Sequence, residues 1–326
     1  MKVIIYRKIG LSIFLIATFL SISFKGLIIQ TAHNTEGIAP YGVAYNEATA
    51  NFVISSLAKG QLGLIDMKGK YNILCTDTRL TTNSTWGLYL QDNKVMTCVG
   101  PNIKTLQKLN KSTLAKLATI DLKTGAYLQD VNLSNFKPKR PFGSIATHVT
   151  YDSATKTAYI TDMLGGSIYQ ITKEGKATVF STNPLFFGTS FKGKLTEAAF
   201  GVTGIAFTST CILVNNFSTG QILKVSSDGK IVTKVAIDLP FDFKGVTDIM
   251  LQPNGDLIVI NNKLSYIYEL RTTDNWDTAS IIAINPTDYH NPTGITSNGK
   301  KKFILNGTNP NYFVKPYVRL ISPKLQ

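Results

Sequence analysis

The chain has 326 residues, 44% of them hydrophobic and 17% charged, with a formal net charge of +14. That is enough apolar material for one large, well-packed core. Three cysteines with no Cys-x-x-Cys or Cys/His cluster exclude a disulfide-stapled scaffold and a structural zinc site. The positive charge is spread singly through turns without stacking aromatics, which argues against nucleic-acid binding.

Lys2, Arg7 and Lys8 precede an apolar run, Ile9 to Phe24, that holds no acidic residue. This is the pattern of a secretory n-region and h-region, so residues 1–26 are read as a signal peptide and the protein as secreted. A membrane anchor through residues 9–24 is the competing reading, because the run approaches the lower length of a spanning helix and no clean small-x-small site follows it. Residues 27–326 are read as one domain. Leu27 to Gln30 is expected to form a strand that pairs with the last unit of the fold and closes a ring.

From Pro40 onward the chain repeats one unit. It is clearest at Gly201 to Val235, where four apolar, β-branched runs (Val202–Phe207, Ile212–Asn216, Gln221–Val225, Ile231–Val235) are separated by turns rich in Ser, Thr, Asp and Gly. That is an antiparallel meander, and nowhere does it sustain a helical period. The first strand of each copy carries a cue, a Gly or polar residue before an apolar one: Gly42-Val43, Gly87-Leu88, His148-Val149, Gly204-Ile205, Asp248-Ile249 and Gly294-Ile295. Six copies at this spacing predict an all-β fold, a six-bladed β-propeller of four-stranded blades. Two excursions interrupt it: Pro101 to Leu114 in the second blade, and Ser181 to Phe200 after the third, with Leu185, Phe186, Phe187 and Phe191. Long loops of this kind are often lids or binding loops. Cys75 and Cys98 are placed for a bridge, against the plainer reading of three buried free thiols that includes Cys211.

The stretches Thr147–Ser181 and Gly201–Lys230 resemble the gluconolactonase, regucalcin and strictosidine-synthase-like propeller superfamily, and within it the plant-type members labelled calcium-dependent phosphotriesterase-like. The resemblance runs from about Gly37 to Gly307. It implies a calcium ion in the central channel, held by Glu, Asn and Asp side chains just before the cue, and lactonase- or esterase-type hydrolysis. Here those head positions are Tyr41, Trp86, Thr147, Thr203, Thr247 and Thr293. Neutral hydroxyls cannot balance a bare divalent cation. The ring is expected to have lost its metal ligands and to act as a ligand-binding channel mouth for a small polar molecule, a sugar or a protein segment.

Glu36, His148 and Asp248 are the candidate ligands for a rearranged metal site, and His148 and Asp248 the candidate catalytic residues. Strand alternation turns His148 and Asp248 away from the channel unless a bulge re-aims them. His33 and His290 read as loop residues, and Asp152, Asp162, Asp228 and Asp256 as turn residues. Three functions follow as alternatives: a non-catalytic binding module, a divergent metal-dependent lactonase or esterase, and a protein-interaction propeller working through its rim and the Phe-rich loop at 185–191. An anionic polysaccharide or surface is a further expected partner, through the basic groups at 137–140 and 300–302, and a monomer is the expected state.

Overall fold

A computed structural model describes residues 28–30, 38–102, 114–136, 143–189, 196–238, 243–287, 291–307 and 317–321. The strands follow the turn punctuation of the sequence. β1 (Ile28–Gln30) comes first, then β2 (Pro40–Asn46), β3 (Asn51–Ser56), β4 (Leu62–Asp66) and β5 (Tyr71–Cys75). A one-turn helix α1 (Thr78–Thr81) leads to β6 (Ser84–Gln91), β7 (Lys94–Gly100), β8 (Lys116–Asp121) and β9 (Tyr127–Asn132). The third group is β10 (Ala146–Asp152), β11 (Thr157–Asp162), β12 (Ser167–Ile171) and β13 (Ala177–Thr182). The fourth is β14 (Val202–Phe207), β15 (Cys211–Asn216), β16 (Ile222–Ser226) and β17 (Val232–Lys234), within a residue or two of the runs read from the sequence. After β18 (Ala236–Ile237) come β19 (Val246–Leu251), β20 (Leu257–Asn261), β21 (Tyr266–Arg271) and β22 (Thr278–Pro286), then β23 (Pro292–Ser297), β24 (Lys302–Asn306) and β25 (Tyr317–Ile321).

Each group is its own antiparallel meander, with two additions: β18 runs parallel to the outer edge of β22, and β1 pairs antiparallel with β25. The first strands lie side by side in a closed ring, β2 against β6, then β10, β14, β19, β23 and back to β2. The fold is an all-β propeller, as the repeat predicts. No helix among the described residues is long and apolar enough to cross a membrane, and the apolar run at 9–24 lies outside them.

Apolar faces are buried between neighbouring sheets. Phe52 and Phe303, both fully buried, meet edge-on at 4.7 Å where the first and sixth sheets pack. Cys75, Cys98 and Cys211 are buried free thiols in three separate clusters, so they serve as small core residues. Asp162 does turn work, its Oδ1 accepting the N–H groups of Ile145 at 2.9 Å and Gly165 at 2.7 Å. The excursion after the third sheet folds back onto the body. It forms 3-10 turns at Pro184–Phe186 and Glu197–Ala199, and Phe186 is fully buried. Phe191 and the loop at 103–113 lie outside the described residues.

One polar contact between sheets is also buried. Lys302 Nζ on β24 reaches both carboxylate oxygens of Glu269 on β21 at 3.2 Å, with side-chain exposures of 13% and 5%. Gln252 Nε2 donates to the same carboxylate. Removing one partner of such a pair strands a buried charge, at a cost of about 3 kcal/mol. Lys302→Ala is therefore expected to lower unfolding stability in urea by about that amount, and the double variant Glu269→Gln/Lys302→Met to recover most of it. A loss under about 0.5 kcal/mol, the level of an exposed pair, would show that the contact is solvated.

Candidate functional site

Every first strand carries one extra residue against its neighbour. The register slips between Pro40 and Val43, Thr85 and Leu88, Ala146 and Val149, Val202 and Ile205, Val246 and Asp248, and Pro292 and Gly294. These are β-bulges, and each falls at the head and cue positions. A bulge breaks strict alternation and re-aims the side chains that follow it.

The consequence is a correction to the phase expected from the sequence. A cavity of about 610 Å³ runs along the propeller axis, and His148 and Asp248 line it. None of the six head residues, Tyr41, Trp86, Thr147, Thr203, Thr247 or Thr293, lines it. All six are buried. The threonines tie strands together: Thr203 Oγ1 donates to Val246 O at 3.2 Å and Thr247 Oγ1 to Pro292 O at 3.3 Å, each on the next sheet. Thr147 Oγ1 lies 3.1 Å from Thr161 Oγ1, which itself donates to Thr203 O. Thr293 Oγ1 donates to Leu305 O at 3.4 Å within its own sheet. Tyr41 and Trp86 pack edge-to-face at 5.0 Å, and the Tyr41 ring lies 5.5 Å from that of His148. Glu36, His33 and His290 lie outside the described residues.

The cue positions thus form the innermost ring: Gly42, Gly87, His148, Gly204, Asp248 and Gly294. Four are glycines because the neighbouring backbone fills the space of a Cβ. One added at Gly42 would meet Trp86 O at 2.6 Å, one at Gly87 would meet Thr147 O at 2.6 Å, and one at Gly204 would meet Ile249 N at 2.8 Å. The two remaining positions converge across Gly204, with His148 Nε2 3.6 Å from Asp248 Oδ1. That is too long for a direct hydrogen bond.

The Asp248 carboxyl is oriented by two backbone donors, Ile249 N–H to Oδ1 at 2.9 Å and Ile295 N–H to Oδ2 at 3.2 Å. Burial nevertheless pushes its pKa up to about 7, with those donors opposing the rise. Burial pushes His148 down to about 3. Tyr41 is raised, by burial first and then by the charge of Asp248. His148 is only 5% exposed and neither ring nitrogen has a hydrogen-bond partner. An imidazole left this way costs about 1–3 kcal/mol.

Further out, the cavity wall carries Tyr45, Tyr89, Tyr151 and Phe207, all half-buried, together with Thr150 and Thr296. Among the described residues no Lys or Arg lines it, and the one further carboxylate besides the His148–Asp248 pair is that of Glu47 at the exposed rim. Sequence reasoning passed over these aromatics. The available signal was the aromatic three residues after the cue in three copies, Tyr45, Tyr151 and Phe207.

A calcium ion, which the sequence resemblance implies, does not fit this ring. It takes six to eight oxygen ligands, whereas four of the six inner positions are glycines and one is an imidazole. Among the described residues no three His, Cys, Asp or Glu side chains converge.

No protein-family model matches the chain, and no curated protein matches it. Solved structures do. The major allergen Mala s 1 of Malassezia sympodialis superposes with a TM-score of 0.69 at 17% identity, covering 90% of this chain and 95% of that one. A gluconolactonase from Xanthomonas campestris gives 0.60 at 14% identity, covering 93% and 91%. Virginiamycin B lyase from Staphylococcus aureus gives 0.59 at 17% identity, covering 92% and 100%. These are β-propellers, and at such identities the likeness shows the fold alone.

Two predictions follow from the site's chemistry. Because the folded-state pKa of Asp248 lies about three units above its ordinary value, the native protein keeps a proton that the unfolded chain releases. Its contribution to stability therefore falls as pH rises from about 4 to about 7, by about 4 kcal/mol. His148 opposes this, adding stability as pH rises from about 3 to its ordinary value near 6.5. Asp248→Asn removes the falling branch, so the stability difference between variant and parent should shift toward the variant by several kcal/mol between pH 4 and pH 8. Equal shifts in both proteins would mean that the carboxyl is solvated. Separately, 1 mM calcium added to chelator-stripped protein should leave the melting temperature unchanged; a rise of several degrees would mean that oxygens other than the inner ring hold the ion.

Proposed function

We propose that this protein binds a neutral, hydroxyl-bearing small molecule such as a sugar in the axial cavity of a six-bladed propeller. The observation that carries the proposal is the cavity wall: three tyrosines and Phe207 along the sides, His148 with both nitrogens unpartnered and Asp248 in the inner ring, and, among the described residues, no Lys or Arg. Aromatic faces stack on the apolar faces of a sugar ring, while hydroxyl, imidazole and carboxyl groups take its hydroxyls. An anionic ligand would lose its hydration with no cation to replace it. The volume lies within the range of small-molecule sites.

The six-bladed count is supported by the closed ring of first strands and by β1, which completes the sheet of β23, β24 and β25. The signal-like residues 1–26 support export, and a single closed ring supports a monomer. The protein-interaction reading is weakened where it can be followed, since Phe186 of the Phe-rich loop is committed to the core. For the metal-dependent hydrolase reading, the described residues offer no cluster of three donor side chains, and Glu36 lies outside them.

The test is calorimetric titration of methyl glycosides and of the matching sugar acids into the full chain at pH 6. Binding of neutral glycosides, lost in Tyr151→Ala and weaker by at least tenfold for the acids, is the expected result. Preference for the acids would overturn the proposal.

A further inference from the structure

Building on the sugar-binding reading, we propose that His148 and Asp248 form a metal-free acid–base dyad that interconverts the anomers of a cyclic hemiacetal, a reducing sugar bound in the axial cavity. The argument starts from an unusual pairing. A buried side chain kept for structure is hydrogen-bonded, yet both His148 nitrogens are unpartnered in the cavity wall. The carboxyl facing it is held in place by two backbone N–H groups, and the 3.6 Å between them leaves the pair unjoined. Gly204, the inner-ring residue between them, carries no side chain to separate them. The group facing the pair is Tyr41, against which Trp86 packs edge-on and whose phenol Cys98 also affects, and the cavity wall adds Glu47, Tyr45, Tyr89 and Tyr151. Among the described residues no Lys or Arg lines the cavity to hold the carboxyl ionised.

Burial keeps the imidazole unprotonated and the carboxyl protonated up to about pH 7, so at pH 6 one group is free to accept a proton and the other carries one to give. A hemiacetal presents a hydroxyl and a ring oxygen on one carbon. The anomeric hydroxyl gives its proton to His148 Nε2, and the electron pair it leaves forms the carbonyl. The bond from that carbon to the ring oxygen breaks, its electrons stay on the oxygen, and the Asp248 carboxyl protonates it. Reclosure on the opposite face reverses both transfers: the imidazolium protonates the carbonyl oxygen, and the ring hydroxyl returns its proton to the carboxylate. Protons and electrons balance, and no oxidant, metal or water is consumed.

The experiment follows anomer exchange of D-glucose, D-galactose and D-xylose by exchange NMR with the full chain in a weakly catalytic buffer at pH 6. Binding of the corresponding methyl glycosides, which cannot open, is measured alongside. Exchange faster than buffer alone is expected for at least one sugar. Asp248→Asn and His148→Gln should each slow it at least 100-fold while weakening methyl glycoside binding less than tenfold. The acceleration should hold from pH 5 to 6 and fall away above about pH 7, a profile that a purely structural role for the dyad would not give. Glycoside binding with exchange at the buffer rate, or acceleration that survives Asp248→Asn, overturns the dyad and leaves the binding reading standing. If none of the glycosides or sugars binds, both fall.

Discussion

Crowding at the propeller axis sets the terms for everything else in this molecule. Six strands converge there, and each is forced by an inserted residue to bulge where it comes closest to its neighbour. A Cβ at Gly42, Gly87, Gly204 or Gly294 would run into backbone of the next sheet at 2.6 to 2.9 Å, closer than real Cβ contacts come. Glycine at these four points is a requirement of ring closure. The same constraint makes the other two positions conspicuous, because a side chain there has to project along the axis into the cavity. It also explains the threonines one residue earlier. A short hydroxyl-bearing side chain reaches the carbonyl of the adjacent sheet, as Thr203 and Thr247 do, where a longer one would not fit.

Charge is distributed against the average of the chain. The protein carries a formal +14, yet the described residues that line its cavity include two carboxyl groups and one imidazole and no Lys or Arg. The lysines that enter the interior do so in pairs, as Lys302 does with Glu269 between the fifth and sixth sheets. Net charge thus describes the outer surface and its solubility, and the axial chemistry has to be read from the side chains that converge there. With the carboxyl protonated and the imidazole neutral, the inner ring carries no net charge below about pH 7, and its only polar groups are hydrogen-bonding ones.

Most of the fold could be read from the sequence because it is written in local signals. Strand alternation and Gly/Asp/Ser turns placed β14 to β17 within a residue or two, and the repeated cue aligned the first strands. The site was less legible, for one reason. Alternation predicts facing only while the register is regular, and the bulge that shifts it lies on the residues whose facing was in question. An inserted residue shows in the pairing with the second strand and has no signature of its own in the first. Hence Tyr41, Trp86 and the threonines were assigned to the channel and His148 and Asp248 turned away from it, when the reverse holds. The wall aromatics Tyr45, Tyr151 and Phe207 were visible in sequence as a recurrence, but without the bulge no reason existed to place them at a ligand.

This bears on what losing the metal ligands of a resembling superfamily means. A ring whose head residues are neutral reads, from sequence, as a disarmed active centre. In the folded molecule those heads hold the sheets together, and the ionisable side chains that line the cavity, His148 and Asp248, sit one residue on, at the bulge. His148 and Asp248 come from the third and fifth sheets and meet only because the ring closes around Gly204. Neither group is reactive by composition. Each owes its shifted protonation to burial, and together they present a proton donor and a proton acceptor to the same space. The glycines of the inner ring add no side chains beside the two, so the imidazole and the carboxyl stand next to each other in the cavity wall.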